Sequence, residues 1–283
     1  MKAFAKINVG LKIINKRNDG FHNIETIFYP IKLFDEIFID ASPNNKKCVS
    51  VRIKFDKIHI PSDKNNSCYK IIESFYRNFQ IKEYFLFSIR IKKNIPVGGG
   101  LGGGSTDAAS VLRYLINHFR IDISANREKI IETALNIGSD IPFFLINKPC
   151  FAKGRGEILR ALPDFNIPYI ILLVNPNIHI STKWAYENMN INVGKYQNTE
   201  LNSIKNFDIA KKDLYFNDFE KIVFNKYKIL EKLKNEFYEN GAVFSSLSGS
   251  GATMYAFFKL SSIKNVQAIA KTFIKKGFFV YIN

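Results

Sequence analysis

Apolar residues fall at alternate positions from the start of the chain. Ala3, Ala5, Ile7, Val9, Leu11 and Ile13 share one face of an extended segment over 2–14, and Lys6, Asn8, Gly10 and Lys12 share the other. This period of two predicts a strand. Asn18-Asp19-Gly20 is a turn signal before Phe21-His22, and the run 24–34 predicts a returning strand. A polar loop, Pro61-Ser62-Asp63-Lys64-Asn65-Asn66-Ser67, precedes a helix ending at Phe79, and 85–91 predicts another strand. The period then changes: Ala108, Ala109, Val111, Leu112, Leu115, Ile116 and Phe119 line one side of a helix. A second helix is expected over 125–137, with Ser124 as its cap and Gly138 as its stop. Gly138-Ser139-Asp140-Ile141-Pro142-Phe143-Phe144 then opens a short new element.

Residues 169–174 are continuously apolar over the length of a buried strand, and Pro163 and Pro168 before them mark a boundary between two halves. Beyond them lie a polar region to Asn206 and helical stretches over 208–222 and 226–238. A strand over 253–258 follows the small-residue loop Ser248-Gly249-Ser250-Gly251, and the chain ends with a helix over 262–276 and a strand over 278–282. Strands and helices mixed in this order predict an α+β fold in two domains, 1–162 and 163–283.

Composition narrows the setting. With 283 residues, 46% hydrophobic and 14% aromatic, the chain has ample apolar surface for a core. No window approaches a membrane span, and the strand pattern directly after Met1 does not resemble a signal or transit peptide, so a cytoplasmic protein without a membrane partner is expected. Cys48, Cys68 and Cys150 are odd in number and lack metal-ligand spacing, and are expected as reduced thiols. The formal charge is +16, from 41 Lys and Arg against 25 Asp and Glu. These cations are scattered among Asn, Ile, Phe and Tyr, as a biased codon pool would leave them, and no nucleic-acid partner is expected. A positive field also helps to collect a polyphosphate.

The candidate chemistry centres on Pro96-Val97-Gly98-Gly99-Gly100-Leu101-Gly102-Gly103-Gly104-Ser105-Thr106-Asp107. Six of the seven positions from Gly98 to Gly104 lack a side chain, so the backbone can approach an anion closely, and the N–H groups of the following helical turn point at it. A nucleotide polyphosphate is the expected ligand. A flexible linker would not be wedged between a strand and an amphipathic helix. The loop is not a Walker A motif, because Gly104 stands before Ser105 where the Lys would be. Gly98, Gly100 and Gly103 match the dinucleotide fingerprint formally, but Ile121-Asp122-Ile123 is too short to be the parallel strand that should follow. No His-Arg-Asp or Asp-Phe-Gly supplies the protein-kinase base and metal ligand.

Phosphoryl transfer needs positive charge on the phosphates, a metal, and an acceptor for the proton of the attacking hydroxyl. Asp140, between a glycine and Pro142, is the best-placed carboxylate; taken alone it reads first as a helix N-cap. Lys6 and Asn8, taken alone, read as the solvated face of a strand. Asp107 falls in the first turn of the phosphate-binding helix, where a carboxylate suits the dipole, and no catalytic role is expected of it. Four His and three Cys supply no nucleophilic triad or metal cluster.

Read together, these pieces form a known order. An N-terminal strand motif (Ala5-Lys6-Ile7-Asn8-Val9-Gly10-Leu11), the glycine loop, and Ser246-Leu247-Ser248-Gly249-Ser250-Gly251 near the C-terminus resemble the three signatures of the GHMP kinases. Arg17-Asn18-Asp19-Gly20-Phe21-His22, Gly138 to Phe144 and Gly154-Arg155-Gly156-Glu157-Ile158-Leu159 look like a member acting on a cytidyl diphosphate sugar alcohol in isoprenoid precursor synthesis. The resemblance implies a ribosomal-protein-S5-like N-terminal domain and a ferredoxin-like C-terminal domain, with the active site in the cleft between them and a monomer or weak dimer as the assembly. It implies ATP and Mg²⁺ as cofactors, and phosphorylation of a tertiary 2-hydroxyl. Asp140 would be the general base and Lys6 would orient the hydroxyl. Asn8 would place the erythritol part, and Thr182 would belong to the substrate site. His22 would meet the cytosine edge, with Phe21 and Tyr186 as flanking plates. Phe21 stands where the family usually has Tyr; stacking survives that change and the hydroxyl's hydrogen bond does not. Pro96, Val97, Gly98, Gly99, Gly100, Leu101, Gly102, Gly103, Gly104, Ser105 and Thr106 would hold the ATP phosphates, with Ser105 or Thr106 at Mg²⁺. Asn65-Asn66-Ser67 would approach the adenine. A homoserine or mevalonate kinase would have no base for the Asp19-Gly20-Phe21-His22 turn to hold.

Overall fold

A computed structural model describes residues 1–46, 48–56, 60–189 and 200–283. The polar region expected to reach Asn206 lies partly outside them. In chain order the elements are β1 (Lys2–Lys16), β2 (His22–Pro43), β3 (Ser50–Phe55), α1 (Ser67–Phe79), β4 (Phe85–Lys92), α2 (Gly103–His118), α3 (Arg127–Leu135), α4 (Ile141–Ile146), β5 (Cys150–Lys153), β6 (Ile158–Ala161), β7 (Ile170–Asn175), α5 (Thr182–Glu187), α6 (Glu220–Lys226), α7 (Lys228–Glu239), β8 (Phe244–Leu247), β9 (Met254–Phe258), α8 (Ile263–Lys275) and β10 (Phe279–Ile282). The α+β expectation holds. Among the described residues no helix is long and apolar enough to cross a membrane.

The chain divides into two compact units, each drawn from three segments. The first comprises Met1–Ala5, Phe34–Ile95 and Gly102–Asn147, and the second Lys6–Leu33, Pro96–Leu101 and Lys148–Asn283. Strands β1 and β2 each contribute to both.

In the first unit the second half of β2 runs antiparallel to β4, with Ile37 opposite Ile91 and Ile39 opposite Ile89, and β3 pairs parallel to β4. Alternate residues of β4, Phe87, Ile89 and Ile91, are buried, as are Ile71, Ile72 and Phe75 of α1 and Val111, Leu112 and Leu115 of α2. Aromatic rings of this core meet edge to face, Tyr76 on Phe87 and Tyr76 on Phe119 among them. In the second unit β2 pairs with β5 and β5 with β6, and a separate antiparallel sheet runs β10-β7-β9-β8. The core of this unit gathers Leu172 and Val174 of β7, Met254, Ala256 and Phe258 of β9, Leu230, Leu233 and Phe237 of α7, and Val266 and Phe273 of α8.

Three elements depart from expectation. β2 runs on past Phe34 to Pro43, and Asp35 within it is buried against Lys93. The helix expected over 125–137 begins at Arg127: Asp122 accepts the N–H groups of Ser124 (2.8 Å) and Ala125 (3.1 Å), so a turn forms first and Ser124 is not the cap. The stretch 208–222 breaks into a 3-10 turn, Ile209–Tyr215, and α6, because Phe216 and Asn217 between them join β1: Leu11 N–H donates to Phe216 C=O at 3.1 Å.

Candidate active site

The glycine loop belongs half to each unit. In the first, Gly102 stands at the N-cap of α2 with φ 75° and no side chain to cap the helix, and the first intrahelical bond is Thr106 N–H to Gly102 C=O, 2.9 Å. The N–H groups of Gly103, Gly104 and Ser105 therefore have no intrahelical carbonyl, which is the geometry that binds an anion. Ser67 Oγ donates to Gly104 C=O at 2.9 Å, which joins the start of α1 to the loop. Asn66 caps α1, accepting Cys68 N–H at 2.8 Å and donating to Pro61 C=O at 2.7 Å. The segment expected near adenine is thus beside the glycine loop, with Asn66 already occupied.

Beneath this helix start lies an ion cluster the sequence did not disclose. Lys93 Nζ donates to Asp35 and, at 2.6 Å, to Asp107, and all three side chains are buried. The other oxygen of Asp35 accepts the N–H groups of Asn94 (2.6 Å) and Ile95 (2.8 Å). A Cβ on Gly103 would lie 3.2 Å from Ile95 and 3.4 Å from Lys93 Nζ, so the loop rests on this cluster. Burial pushes the Asp107 carboxyl up to about 7; Lys93 opposes the rise and the second carboxylate, Asp35, adds to it. Burial works against the Lys93 ammonium, but the two carboxylates outweigh it and raise its pKa. Asp107 was expected as an ionised residue favoured by the dipole. Desolvation outweighs that effect, and its Oδ1 is buried without a hydrogen-bond partner among the described residues.

In the second unit the other half of the loop is held by β1 and by the loop after β8. Lys6 N–H donates to Leu101 C=O at 3.1 Å, and Gly100 C=O accepts Ser248 Oγ at 2.9 Å and Lys6 Nζ at 3.4 Å. Gly100 has φ +76°, and a Cβ there would collide with the Ser248 carbonyl oxygen. Thr253 N–H bonds Gly99 C=O at 3.2 Å, and a Cβ on Gly99 would meet Asn175 and Thr253 at 2.9 Å. Beside Gly98, whose φ is +66°, stands His179.

Lys6 and Asn8 are not solvated. They are 4% and 2% exposed, Lys6 Nζ donates to Asn8 Oδ1 at 2.6 Å, and Asn8 Nδ2 donates to Thr26 Oγ1 at 3.0 Å. The polar face of β1 is covered by chain rather than by water. Thr182 Oγ1 is 2.9 Å from Ser250 Oγ, so it joins the same small-residue loop. His22 lies flat on Tyr186, centroids 4.5 Å apart and planes 8° apart, and Phe219 meets Tyr186 edge-on at 4.9 Å. Burial, with Lys16 second, lowers the His22 pKa. Phe21, 51% exposed, carries the Arg155 guanidinium 4.4 Å from its ring centroid.

Asp140 is in the first unit. It occupies the N-cap position of α4 with φ −80° and ψ −16°, and its side chain makes no capping hydrogen bond. The cap reading does not hold. A Cβ on Gly138 would lie 3.9 Å from Ser105 Oγ, so the segment carrying Asp140 adjoins the helix start. Among the described residues no group of three or more His, Cys, Asp and Glu could hold a metal ion alone. A nucleotide-bound Mg²⁺ asks less, one or two protein oxygens beside phosphates, and the half-buried Ser105 hydroxyl suits that better than Thr106, which is 3% exposed.

Sequence reasoning chose no residue from Ser248-Gly249-Ser250-Gly251, although small residues were the signal, and it passed over Thr26, Asp35, Lys93 and Asn175. Those four lie in strands or beside them and have no motif of their own.

Fold and site together define an α+β protein with a glycine-rich anion cradle at a helix start. The chain matches the GHMP kinases N terminal domain over residues 66–148 and the GHMP kinases C terminal domain over 196–276. It is 39% identical over 259 residues to a 4-diphosphocytidyl-2-C-methyl-D-erythritol kinase of Azobacteroides pseudotrichonymphae, covering 90% of this chain and 91% of the relative. A protein of the same name from Chlorobium chlorochromatii is 35% identical over 290 residues, covering 99% and 96%. Among solved structures, a 4-(cytidine 5'-diphospho)-2C-methyl-D-erythritol kinase superposes with a TM-score of 0.73 at 23% identity, covering 100% and 97%. A homoserine kinase from Cytophaga hutchinsonii does so with 0.60 at 15%, covering 99% and 92%. The chain belongs to the GHMP kinase family, in the group formed by the 4-diphosphocytidyl-2-C-methyl-D-erythritol kinases.

Proposed function

We propose that the chain transfers the γ-phosphoryl group of ATP to the 2-hydroxyl of 4-diphosphocytidyl-2-C-methyl-D-erythritol, in the non-mevalonate route to isoprenoid precursors. The observation that carries this reading is the glycine-capped start of α2, whose first N–H groups are open to phosphate, in a chain 39% and 35% identical to two kinases of that name.

The Asp140 carboxylate takes the proton of the attacking hydroxyl. The freed oxygen bonds to the γ-phosphorus, and the bond from that phosphorus to the bridging oxygen breaks to release ADP. The Lys6 ammonium, held by Asn8 and the Gly100 carbonyl, orients the hydroxyl and supplies positive charge, and Asn8 places the erythritol part. Pro96 to Thr106 bind the ATP phosphates. Mg²⁺, held by Ser105 and the phosphates, would neutralise their charge. Phe21, His22, Thr182 and Tyr186 serve the cytidyl end: the exposed face of Phe21 takes the base by stacking, and His22, backed by the Tyr186 ring on which it lies, offers a ring nitrogen to the base's edge. On this reading the enzyme is cytoplasmic and its partners are small molecules.

A coupled ADP-release assay with Mg²⁺ tests the assignment. Turnover is expected with the cytidyl substrate and not with methylerythritol 4-phosphate, mevalonate or homoserine. Faster turnover of mevalonate or homoserine would overturn the substrate and leave a kinase.

A further inference from the structure

A half-exposed aromatic ring that is to receive a nucleobase must be held at a fixed angle, or stacking is lost to rotation about its own bonds. Phe21 has a fixed backbone: its N–H donates to Asp19 Oδ1 at 3.1 Å and its C=O accepts Arg17 N–H at 2.8 Å. Its side chain, at 51% exposure, has no such enclosure. What meets the ring is Arg155, whose guanidinium carbon stands 4.4 Å from the centroid, within the range of a cation–π contact.

Arg155 is itself held. It is at the tip of the turn between β5 and β6, flanked by Gly154 (φ +71°) and Gly156 (φ +107°), and its N–H donates to Glu157 Oε2. Glu157 Oε1 is also 4.0 Å from Arg155 Nε, and the Arg155 side chain is only 24% exposed. Ile24 N–H donates to Gly154 C=O at 2.7 Å, so this turn is fastened to β2 two residues beyond His22.

We propose that Arg155 is a positioning residue for substrate choice: laid on one face of Phe21, it sets the ring so that the opposite face receives the nucleobase. The proposal rests on the cytidyl-substrate reading. It assigns Arg155 no contact with the substrate; its effect passes through Phe21, which makes the effect separable.

Steady-state kinetics on four variants test it, with R155M chosen because it removes the charge and keeps an unbranched apolar stem. R155M is expected to raise the KM for the cytidyl substrate roughly two- to fivefold, the scale of an exposed cation–π contact, with kcat and the KM for ATP unchanged. R155K should recover part of the loss, since an ammonium keeps the charge but not the planar stack. F21A should raise the same KM, and in F21A/R155M the second substitution should add nothing. An R155M effect that persists undiminished in the F21A background would overturn the proposal, because Arg155 would then touch substrate directly. So would an unchanged KM in a folded R155M whose F21A counterpart is impaired. If F21A leaves the KM unchanged, it is the nucleobase reading of Phe21 that has failed, and the proposal falls with it.

Discussion

Replacing Lys93 with Met removes one cation from beneath the start of α2 and keeps the length of its stem. The two carboxylates it serves are buried, Asp35 at 0% and Asp107 at 5% side-chain exposure. Removing one partner of a buried ion pair costs about 3–5 kcal/mol, because the charge left behind has neither water nor a counter-ion. Set against the roughly 5–15 kcal/mol that holds a domain together, this is a large fraction. The loss should depend on pH. With Lys93 present the Asp107 carboxyl titrates at about 7; without it the carboxyl keeps its proton well above that. Between pH 6 and pH 8 the variant therefore loses stability over the whole interval, whereas the native chain does so only up to about 7. The difference between them should be about 1.4 kcal/mol greater at pH 8 than at pH 6. Urea unfolding of both proteins at the two pH values measures this, with K93M/D107N expected to regain part of the loss. A K93M protein within about 1 kcal/mol of the native one at pH 8 would refute the reasoning, since the cluster would then be no more than a crowded set of solvated charges.

Other outcomes follow from the same geometry. Asp140→Asn should lower kcat by about 10² or more with the fold intact, as loss of a positioned base does, and a change of less than severalfold would leave Asp140 without a part in proton transfer. Gly100→Ala forces a Cβ onto the Ser248 carbonyl at φ +76° and should destabilise by about 2 kcal/mol or more, whereas Gly104→Ala, whose Cβ meets only Ser67 Oγ at 3.7 Å, should stay within about 0.5 kcal/mol; equal denaturation midpoints would show that the loop yields freely. The raised Asp107 carboxyl binds its proton more tightly folded than unfolded, so its contribution is complete below about pH 4 and is lost as pH rises through about 7. D107N should flatten the stability curve across that window, and parallel curves for the two proteins would exclude the shift.

How much of this was legible depends on what periodicity can carry. The alternation of β1 disclosed its inner face, yet the same alternation made Lys6 and Asn8 look solvated. A polar position turned to water and one covered by Gly100, Ser248 and Thr26 are identical in sequence. The glycine loop and the helix after it were legible because a run of glycines followed by a helical period is visible in composition and spacing alone. Asp35 and Lys93 were not, because each is an ordinary charge until the fold brings them together from 58 positions apart. β5, β6 and β8, at four residues each, are too short to show a period. The break at Phe216 and Asn217 is tertiary in origin, since Asn217 donates to the carbonyls of Leu247 and Gly249, both at 2.8 Å.

The interleaving of segments between the two units sets an order of completion during synthesis. Once Asn147 has left the ribosome, every segment of the first unit exists, including the start of α2 and the Lys93 cluster. Lys6, Asn8 and the Pro96–Leu101 half of the glycine loop belong to the unit whose last segment ends at Asn283. At ordinary translation speeds they wait on the order of ten seconds for Ser248 and Thr253 to emerge. The start of α2 thus has its supporting residues long before Lys6, Asn8 and Gly100 have theirs, and for that interval the polar face of β1 lacks the Ser248 that later covers it.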